Sequence, residues 1–129
     1  MEILLDASAI MAVIADEPET AIVVHSTQNS IIVTPDIISF EIANGLTKMM
    51  RRNIIDTKEQ MINLIKNFKM IPIKTVNVDI ERALEIAWDH KIYAYDAFYL
   101  EVAKRFKLPM LTFDERMKKI GKVLGLLIL

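Results

Sequence analysis

The chain has 129 residues and a formal net charge of −1, and hydrophobic residues make up 53% of it. This length predicts a single domain, residues 1–129, and a protein of this size buries roughly two-thirds of its unfolded surface. The absence of cysteine excludes disulfides, zinc–thiolate sites and thiol nucleophiles. Three glycines and four prolines are too few for a disordered or low-complexity chain. The near-neutral charge gives no overall attraction to nucleic acid, so a polyanion would have to be held locally.

The amino terminus and the apolar runs favour a cytoplasmic protein without a membrane segment. Acids at positions 2 and 6 stand where a secretory signal needs basic residues followed by an unbroken apolar stretch. The longest apolar runs, Ala9–Ala15 and the Gly-interrupted Val123–Leu129, fall far short of the roughly 20 residues of a membrane span. The mean hydropathy of +0.30 is high for so small a chain. We therefore expect a protein partner or a second copy of the chain to cover part of its surface.

Short apolar runs alternate with helical segments along the chain. Ile3–Leu5 predicts the first buried strand, because strands covered on both faces are continuously apolar. Four later runs predict further strands, namely Ile31–Val33, Met70–Ile73, Met110–Thr112 and Leu126–Ile128.

Two of the segments between these runs carry clear helix signals. A helix over Thr57–Lys69 is predicted to begin with a capping box in which Asp56 is the N-cap. In Ile80–Lys91 the apolar residues recur at helical spacing, which places Trp88 in the core. Strands that alternate with helices predict parallel pairing through right-handed crossovers. The predicted fold class is therefore α/β, a three-layer α/β/α sandwich with a central, mostly parallel sheet of four to five strands.

Four carboxylates stand in apolar surroundings. Asp6, Glu41 and Asp96 have no other charged residue within two positions, and Asp114 ends the apolar run Leu111–Phe113. A carboxylate inside an apolar run costs several kcal/mol unless it is paired or coordinated. These four are therefore candidates for a shared site.

The remaining acids have simpler roles. Glu101 has charged neighbours and is expected on a helix surface. Two more acids are isolated, but their positions account for them, because Glu2 is next to the amino terminus and Asp36 is expected to be a helix N-cap.

Each of the four candidates could also have a separate structural role. Asp96 or Asp114 can be an N-cap, Asp6 can form a turn at the strand end, and Glu41 can lie on a helix surface. Their placement argues against four unrelated roles, because they stand at strand ends or in the first turns of predicted helices, where parallel sheets bind ligands. All four can point into one crevice.

Four carboxylates in one crevice need a cation. Each ionised pair about 5 Å apart repels by roughly 3 kcal/mol at an effective dielectric of 20. An all-oxygen cluster suits Mg²⁺ or Mn²⁺, and two such ions can promote phosphodiester hydrolysis. The pattern thus favours a metal-dependent hydrolase that acts on phosphodiesters.

The sequence around these acids resembles the four signature blocks of the PIN-domain ribonucleases, most closely the VapC-type toxins. The blocks follow the family's order and cover almost the whole chain: Leu4–Ser8, Phe40–Asn44, Ala94–Ala103 and Leu111–Arg116. The resemblance implies that the catalytic, metal-binding acids are Asp6, Glu41, Asp96 and Asp114.

The resemblance also implies roles for residues beside the acids. Ser8 and Thr112 match positions that support metal or water, and Asn44 matches one that orients Glu41. The sequence departs from the family pattern at Ala7, where many members carry Thr or Ser. That change removes a hydroxyl and leaves the number of charges unchanged.

The activity that the resemblance implies is hydrolysis of single-stranded or loop RNA, with Mg²⁺ or Mn²⁺ as cofactor. The products would carry a 5′-phosphate and a 3′-hydroxyl. VapC-like proteins are held inactive by a small antitoxin that wraps apolar helices near the site, and many form homodimers. Either partner would cover apolar surface.

Three basic clusters are candidate RNA-binding segments. They supply Arg51, Arg52 and Arg116 as predicted phosphate contacts. The alternative is that these side chains are solvated and complement helix dipoles at carboxyl-terminal ends.

Three other functions remain open. The chain can be an RNA-processing PIN nuclease without an antitoxin, or an inactive PIN-fold binding or scaffold module. A phosphoaspartate domain, either a receiver or a haloacid-dehalogenase-like phosphatase, is disfavoured because the latter needs a second Asp where this chain has Ser8.

Overall fold

A computed structural model describes residues 1–129. It contains one sheet of four parallel strands in the order β3-β2-β1-β4. The strands are β1 (Glu2–Leu5), β2 (Ile31–Pro35), β3 (Ile73–Val76) and β4 (Met110–Leu111). Seven helices connect and follow them: α1 (Ala7–Ile14), α2 (Thr20–Thr27), α3 (Ile38–Arg51), α4 (Lys58–Met70), α5 (Ile80–His90), α6 (Ala94–Phe106) and α7 (Glu115–Val123).

The helices lie on both faces of the sheet. Those of the first two crossovers pack together, α1 against α2, α3 and α4, whereas α6 packs against α5, α7 and the two central strands. These two groups of helices cover opposite faces of the sheet. They do so because the strands are added outward from β1 to β3, after which the chain returns to place β4 on the other side of β1. The predicted three-layer α/β/α fold is confirmed.

Strand β1 lies at the centre of the core. Leu4 pairs with Val33 of β2 on one side and with Met110 of β4 on the other. Ile3, Leu4 and Leu5 are fully buried, because helices cover both faces of the strand. Since the strand order reverses between β1 and β4, the ends of these two strands form the switch point at which open parallel sheets bind ligands.

The carboxyl-terminal segment extends the sheet by a single bridge. Met110 pairs with Ile128 in parallel, and its backbone N–H donates to the carbonyl of Leu127 at 2.9 Å. The predicted strand over Leu126–Ile128 is thus reduced to a short edge contact.

Two predicted boundaries are wrong. Helix α4 continues to Met70, and the strand predicted over Met70–Ile73 begins only at Ile73. Pro72 separates the two elements, because a proline disfavours helical geometry at the residue before it, and Ile71 is extended. The capping box also lies one residue later than predicted. Thr57 is the N-cap, and Gln60 completes the box.

Three predicted environments are also wrong. Trp88 is 74% exposed, because α5 packs through Ala83 and Ile86, which lie on the adjacent arc of the helix. Glu101 is 2% exposed, and its carboxylate accepts hydrogen bonds from the Asp79 backbone N–H and from Arg105. Asp36 does not cap α3, because the N-cap position is held by the following residue without a side-chain hydrogen bond.

None of the seven helices has both the length and the hydropathy of a membrane-spanning segment.

Candidate metal centre and active site

Asp6 stands where β1 ends and α1 begins, at the switch point of the sheet. Its Oδ1 accepts hydrogen bonds from Ser8 Oγ at 2.6 Å and from the Ala9 backbone N–H at 3.1 Å, and its Oδ2 accepts one from Thr112 Oγ1 at 2.5 Å. The residue is 5% exposed. Burial raises the pKa of Asp6 in spite of these donors, and the charge of Asp114 raises it further. The two hydroxyl residues predicted to support the site thus both contact Asp6.

Asp114 follows β4 and is the N-cap of α7. Its Oδ1 accepts hydrogen bonds from the backbone N–H groups of Arg116 and Met117 at 2.9 and 3.1 Å. The capping role that the sequence allows for Asp114 is therefore correct. Its Oδ2 accepts no hydrogen bond within the chain and is available to a ligand. The loop before it is held in place because Thr112 Oγ1 accepts from the Asp114 N–H and Ser8 Oγ accepts from the N–H of Phe113.

Glu41 lies in the first turn of α3, where it is partly buried. Its Oε2 accepts a hydrogen bond from the hydroxyl of Tyr99 at 2.6 Å. Burial raises the pKa of Glu41, and the charges of Asp96 and Asp6 add to the effect. The predicted role of Asn44 is to orient this acid, but its side chain is exposed and makes no hydrogen bond to Glu41.

Tyr99 is the residue that sequence reasoning missed. It is 1% exposed within α6, and burial together with the charge of Glu41 raises the pKa of its hydroxyl. The hydroxyl therefore keeps its proton and remains a donor. A tyrosine among the apolar residues of α6 reads as an ordinary core residue, so its pairing with an acid 58 positions away has no signal in the sequence.

Asp96 lies in the first turn of α6 but does not cap the helix, because Tyr93 holds the N-cap position. Its carboxylate makes no hydrogen bond within the chain. Burial raises the pKa of Asp96, the charges of Asp114 and Asp6 raise it further, and Arg116 opposes them. Asp96 is therefore an acid without a hydrogen-bond donor or an ion-pair partner in the chain.

The four acids act on one another electrostatically. Three of them, Asp6, Glu41 and Asp96, have pKa values raised by the charges of other members of the set. None of the four forms an ion pair, because the four ion pairs of the structure join other residues. The structure thus brings together charges from four separate elements without neutralising them.

The residues present fit a divalent cation that is held partly through water. No three acidic or histidine side chains are close enough to hold one ion between them. Mg²⁺ keeps several of its waters and is bound in proteins through one or two carboxylates together with substrate phosphate. An all-oxygen set with unpaired oxygens on Asp96 and Asp114 meets that requirement.

The predicted phosphate contacts lie at different distances from the acids. Arg116 is close to Asp96, and its guanidinium also donates to the carbonyls of His90 and Lys91 at 3.3 and 2.8 Å, joining α7 to the end of α5. Arg51 and Arg52 end α3, about 15 Å along the helix from the acid in its first turn.

Lys48 is nearer to the acids than the two arginines that end α3. It follows Glu41 by seven residues, which places both side chains on one face of the helix. Its charge lowers the pKa of Glu41, against the larger effect of burial.

Comparison with known proteins shows what the whole chain is similar to. The sequence model of the PIN domain matches residues 3–123. Ribonuclease VapC3 from Pyrobaculum aerophilum is 26% identical over 121 residues, which are 91% of this chain and 92% of that protein. The crystal structure of PAE2754 from Pyrobaculum aerophilum superposes with a TM-score of 0.72 at 24% identity, over 99% of this chain and 92% of that one. VapBC2 from Rickettsia felis, bound to a DNA fragment from their promoter, superposes with a TM-score of 0.68 at 15% identity, over 100% and 98%. The chain belongs to the PIN domain family.

Proposed function

We propose that this chain is a metal-dependent endoribonuclease in which residues 1–129 form one nuclease domain. Asp6, Glu41, Asp96 and Asp114 are its catalytic acids. The observation that carries the proposal is that these acids, from four separate elements, lie close enough for their charges to raise the pKa values of Asp6, Glu41 and Asp96, while none of the four is ion-paired. Its similarity to ribonuclease VapC3 supports RNA as the substrate.

The cofactor we propose is Mg²⁺ or Mn²⁺. When bound, such an ion would polarise the phosphodiester and make the attacking water more acidic. Glu41, Asp96 and Asp114 would hold it, in part through its bound waters, by oxygens that have no partner in the chain, and Asp6 would be kept in orientation by Ser8 and Thr112. In the reaction, water adds to phosphorus and the P–O3′ bond breaks. The 3′ oxygen takes up a proton, and the products carry a 3′-hydroxyl and a 5′-phosphate.

Basic side chains on α3 and α7 would hold the RNA backbone. Arg116 and Lys48 are close enough to the acids to affect their pKa values, so we assign them to phosphates next to the scissile bond. Arg51 and Arg52 are further along α3, where they would contact a strand that continues for several nucleotides.

We propose that a small antitoxin binds the apolar groove between α3 and α4. The groove has a volume of about 340 Å³, and its apolar lining includes Met49, Ile54 and Leu64. The fold likeness to VapBC2 supports such a partner. If a small protein is encoded immediately upstream, it should bind this chain and stop cleavage. An Ile54→Asp variant should still cleave RNA but resist that inhibition.

We also propose a homodimer formed through α5. Ile80, Leu84 and Trp88 recur every fourth residue and leave an exposed apolar stripe on this helix. Sedimentation of the purified chain tests the proposal. The native chain should sediment as a dimer and Leu84→Asp as a monomer.

The decisive experiment is cleavage of a labelled single-stranded RNA by the purified chain. Cleavage should require Mg²⁺ or Mn²⁺, stop with EDTA, and be lost in Asp96→Asn purified in the same way. Equal cleavage by Asp96→Asn would show that a contaminating nuclease is responsible. No cleavage by the native chain with either metal would refute the proposed function.

A further inference from the structure

One hydrogen bond joins the two helical layers directly at the acidic site. The Tyr99 hydroxyl on α6 donates to Glu41 Oε2 on α3 at 2.6 Å. It is the only hydrogen bond that the Glu41 carboxylate accepts, and it uses one of the two oxygens. The Tyr99 ring is fully buried, so the position of its hydroxyl is fixed by core packing.

We propose that Tyr99 is a positioning residue that holds the Glu41 carboxylate in place for a divalent cation. The inference rests on the proposed function, because it assigns Tyr99 a role in metal binding at that site. The Glu41 side chain is flexible and only partly buried, so the directional bond limits its orientations. The second oxygen, Oε1, is left without a partner in the chain and can face the ion.

The hydrogen bond from Tyr99 opposes the electrostatic repulsion of Glu41 by the neighbouring acids. The charges of Asp96 and Asp6 act against the ionised form of Glu41. Without a donor, this carboxylate would lower its energy by turning away from them into solvent. A hydrogen bond from the buried tyrosine favours the orientation toward the other acids.

Tyr99 also connects Glu41 to Asp96. It follows Asp96 by three residues, which places both on neighbouring positions of one face of α6. The bond to Glu41 therefore connects the first turn of α3 to the turn of α6 that carries Asp96. Residues that orient metal ligands in this way typically contribute about 10- to 100-fold to metal affinity.

The test compares the Mn²⁺ affinity of Tyr99→Phe with that of the native chain, measured by electron paramagnetic resonance of free Mn²⁺. Removing only the hydroxyl keeps the ring in the core. We expect binding to weaken by about 10- to 100-fold. The matched control is Tyr95→Phe, a half-exposed tyrosine of the same helix whose hydroxyl makes no hydrogen bond. This control should bind Mn²⁺ like the native chain.

A pair of variants tests whether Tyr99 acts through Glu41. If it does, Tyr99→Phe should weaken Mn²⁺ binding in the native background but cause no further loss in a Glu41→Ala background. Equal losses in the two backgrounds would overturn the proposal, because the hydroxyl would then act independently of Glu41.

The same measurements distinguish a failure of the role assigned to Tyr99 from a failure of the proposed ribonuclease function. Native-like Mn²⁺ affinity in Tyr99→Phe, with the native chain binding metal and cleaving RNA, overturns the role of Tyr99 alone. The same holds if Tyr99→Phe is unfolded by circular dichroism, because the hydroxyl would then be needed for stability. A native chain that neither binds Mn²⁺ nor cleaves RNA overturns both proposals.

Discussion

Thr112 Oγ1 donates a hydrogen bond to Asp6 Oδ2 at 2.5 Å, although the two residues are 106 positions apart in the chain. The bond joins the end of β4 to the end of β1, which are neighbours at the switch point of the sheet. Ser8 donates to the other oxygen of the same carboxylate. The buried Asp6 carboxylate is thus held by one hydroxyl group from the end of β4 and one from the first turn of α1.

Thr112→Val should destabilise the protein. The substitution keeps the shape of the side chain but removes a donor to a buried carboxylate, at a cost of about 1.5–3 kcal/mol. Thr34→Val is the matched control, because Thr34 is equally buried and its hydroxyl has no partner. That variant should be as stable as the native chain or more stable. Urea unfolding of both variants in EDTA measures the difference, and equal loss in both would contradict the assigned role of the Thr112 hydroxyl.

Asp96→Asn should leave the metal-free protein at least as stable as the native chain. Burial and the charges of Asp114 and Asp6 raise the pKa of Asp96 in the folded state above its ordinary value of 3.8. The folded protein therefore binds this proton more tightly than the unfolded chain does. The contribution of Asp96 to the free energy of unfolding then falls as pH rises through this interval, from the unfolded pKa to the raised folded one.

Because the Asn side chain does not titrate, the difference in the free energy of unfolding between Asp96→Asn and the native chain reports the pH-dependent contribution of Asp96. The stability of Asp96→Asn minus that of the native chain should increase between about pH 4 and the raised pKa, and then level off. Urea unfolding in EDTA across this pH range measures it. A marked loss of stability in the variant at every pH would instead give Asp96 a structural role.

Mg²⁺ or Mn²⁺ should raise the melting temperature. At 100 times its dissociation constant, a ligand of the folded state alone contributes about 2.7 kcal/mol. For a chain of this length, that corresponds to roughly 10 °C. The control is the double variant Asp6→Asn/Asp114→Asn, since asparagine caps helices as well as aspartate does. An equal rise in the double variant would show that the ions bind elsewhere.

The buried ion pair between Glu101 and Arg105 should contribute to stability and not to metal binding. Arg105→Met would leave the fully buried Glu101 without its cation, at a cost of about 2–3 kcal/mol because Arg105 itself is partly exposed. Arg82→Ala is the control, because its pair with Asp79 is exposed and should contribute less than about 1 kcal/mol. Mn²⁺ affinity should be native-like in both variants, and a loss of affinity in Arg105→Met would contradict a purely structural role.

Arg51→Ala/Arg52→Ala should weaken RNA binding and reduce its salt dependence. Each lost contact to single-stranded RNA lowers the slope of log K against log salt by about 0.7, so the pair should lower it by about 1.4. Binding is measured in the Asp96→Asn background to prevent cleavage. Lys66→Ala/Lys69→Ala removes the same charge from exposed positions of α4 and is the control. Equal effects of the two double variants would identify the arginines as ordinary surface charge.

Strands β1, β2 and β4 were predictable from the sequence because most of their apolar residues are buried. Ile3–Leu5 is continuously apolar since helices cover both faces of β1, and a short continuous apolar run is typical of a buried parallel strand. The orientation of α5 was not predictable. Two adjacent arcs of that helix are apolar, and only the packing of α6 against it selects the arc of Ala83 and Ile86 over that of Trp88.

The candidate site was also predictable only in part. Asp6, Glu41 and Asp96 were identifiable because each is a charge in an apolar stretch, which is costly without a reason. The residues that contact them are less visible. Tyr99 has the character of a core residue. Glu101 has a charged neighbour within three positions, which predicts a helix surface, although the residue is buried and pairs with Arg105. Contacts between distant segments leave no local signal, so sequence identifies the acids better than it identifies their partners.

The exposure of Trp88 has a practical consequence, because it is the chain's single tryptophan. Its indole is hydrated and lies 3.7 Å from the Lys91 ammonium, measured to the ring centroid. Its fluorescence should therefore already have the emission of water-exposed indole in the native state, and we expect unfolding to change the emission wavelength little. A protein that covers α5 would remove that water and shift the emission to the blue. The native chain thus carries a built-in optical probe for association on this face.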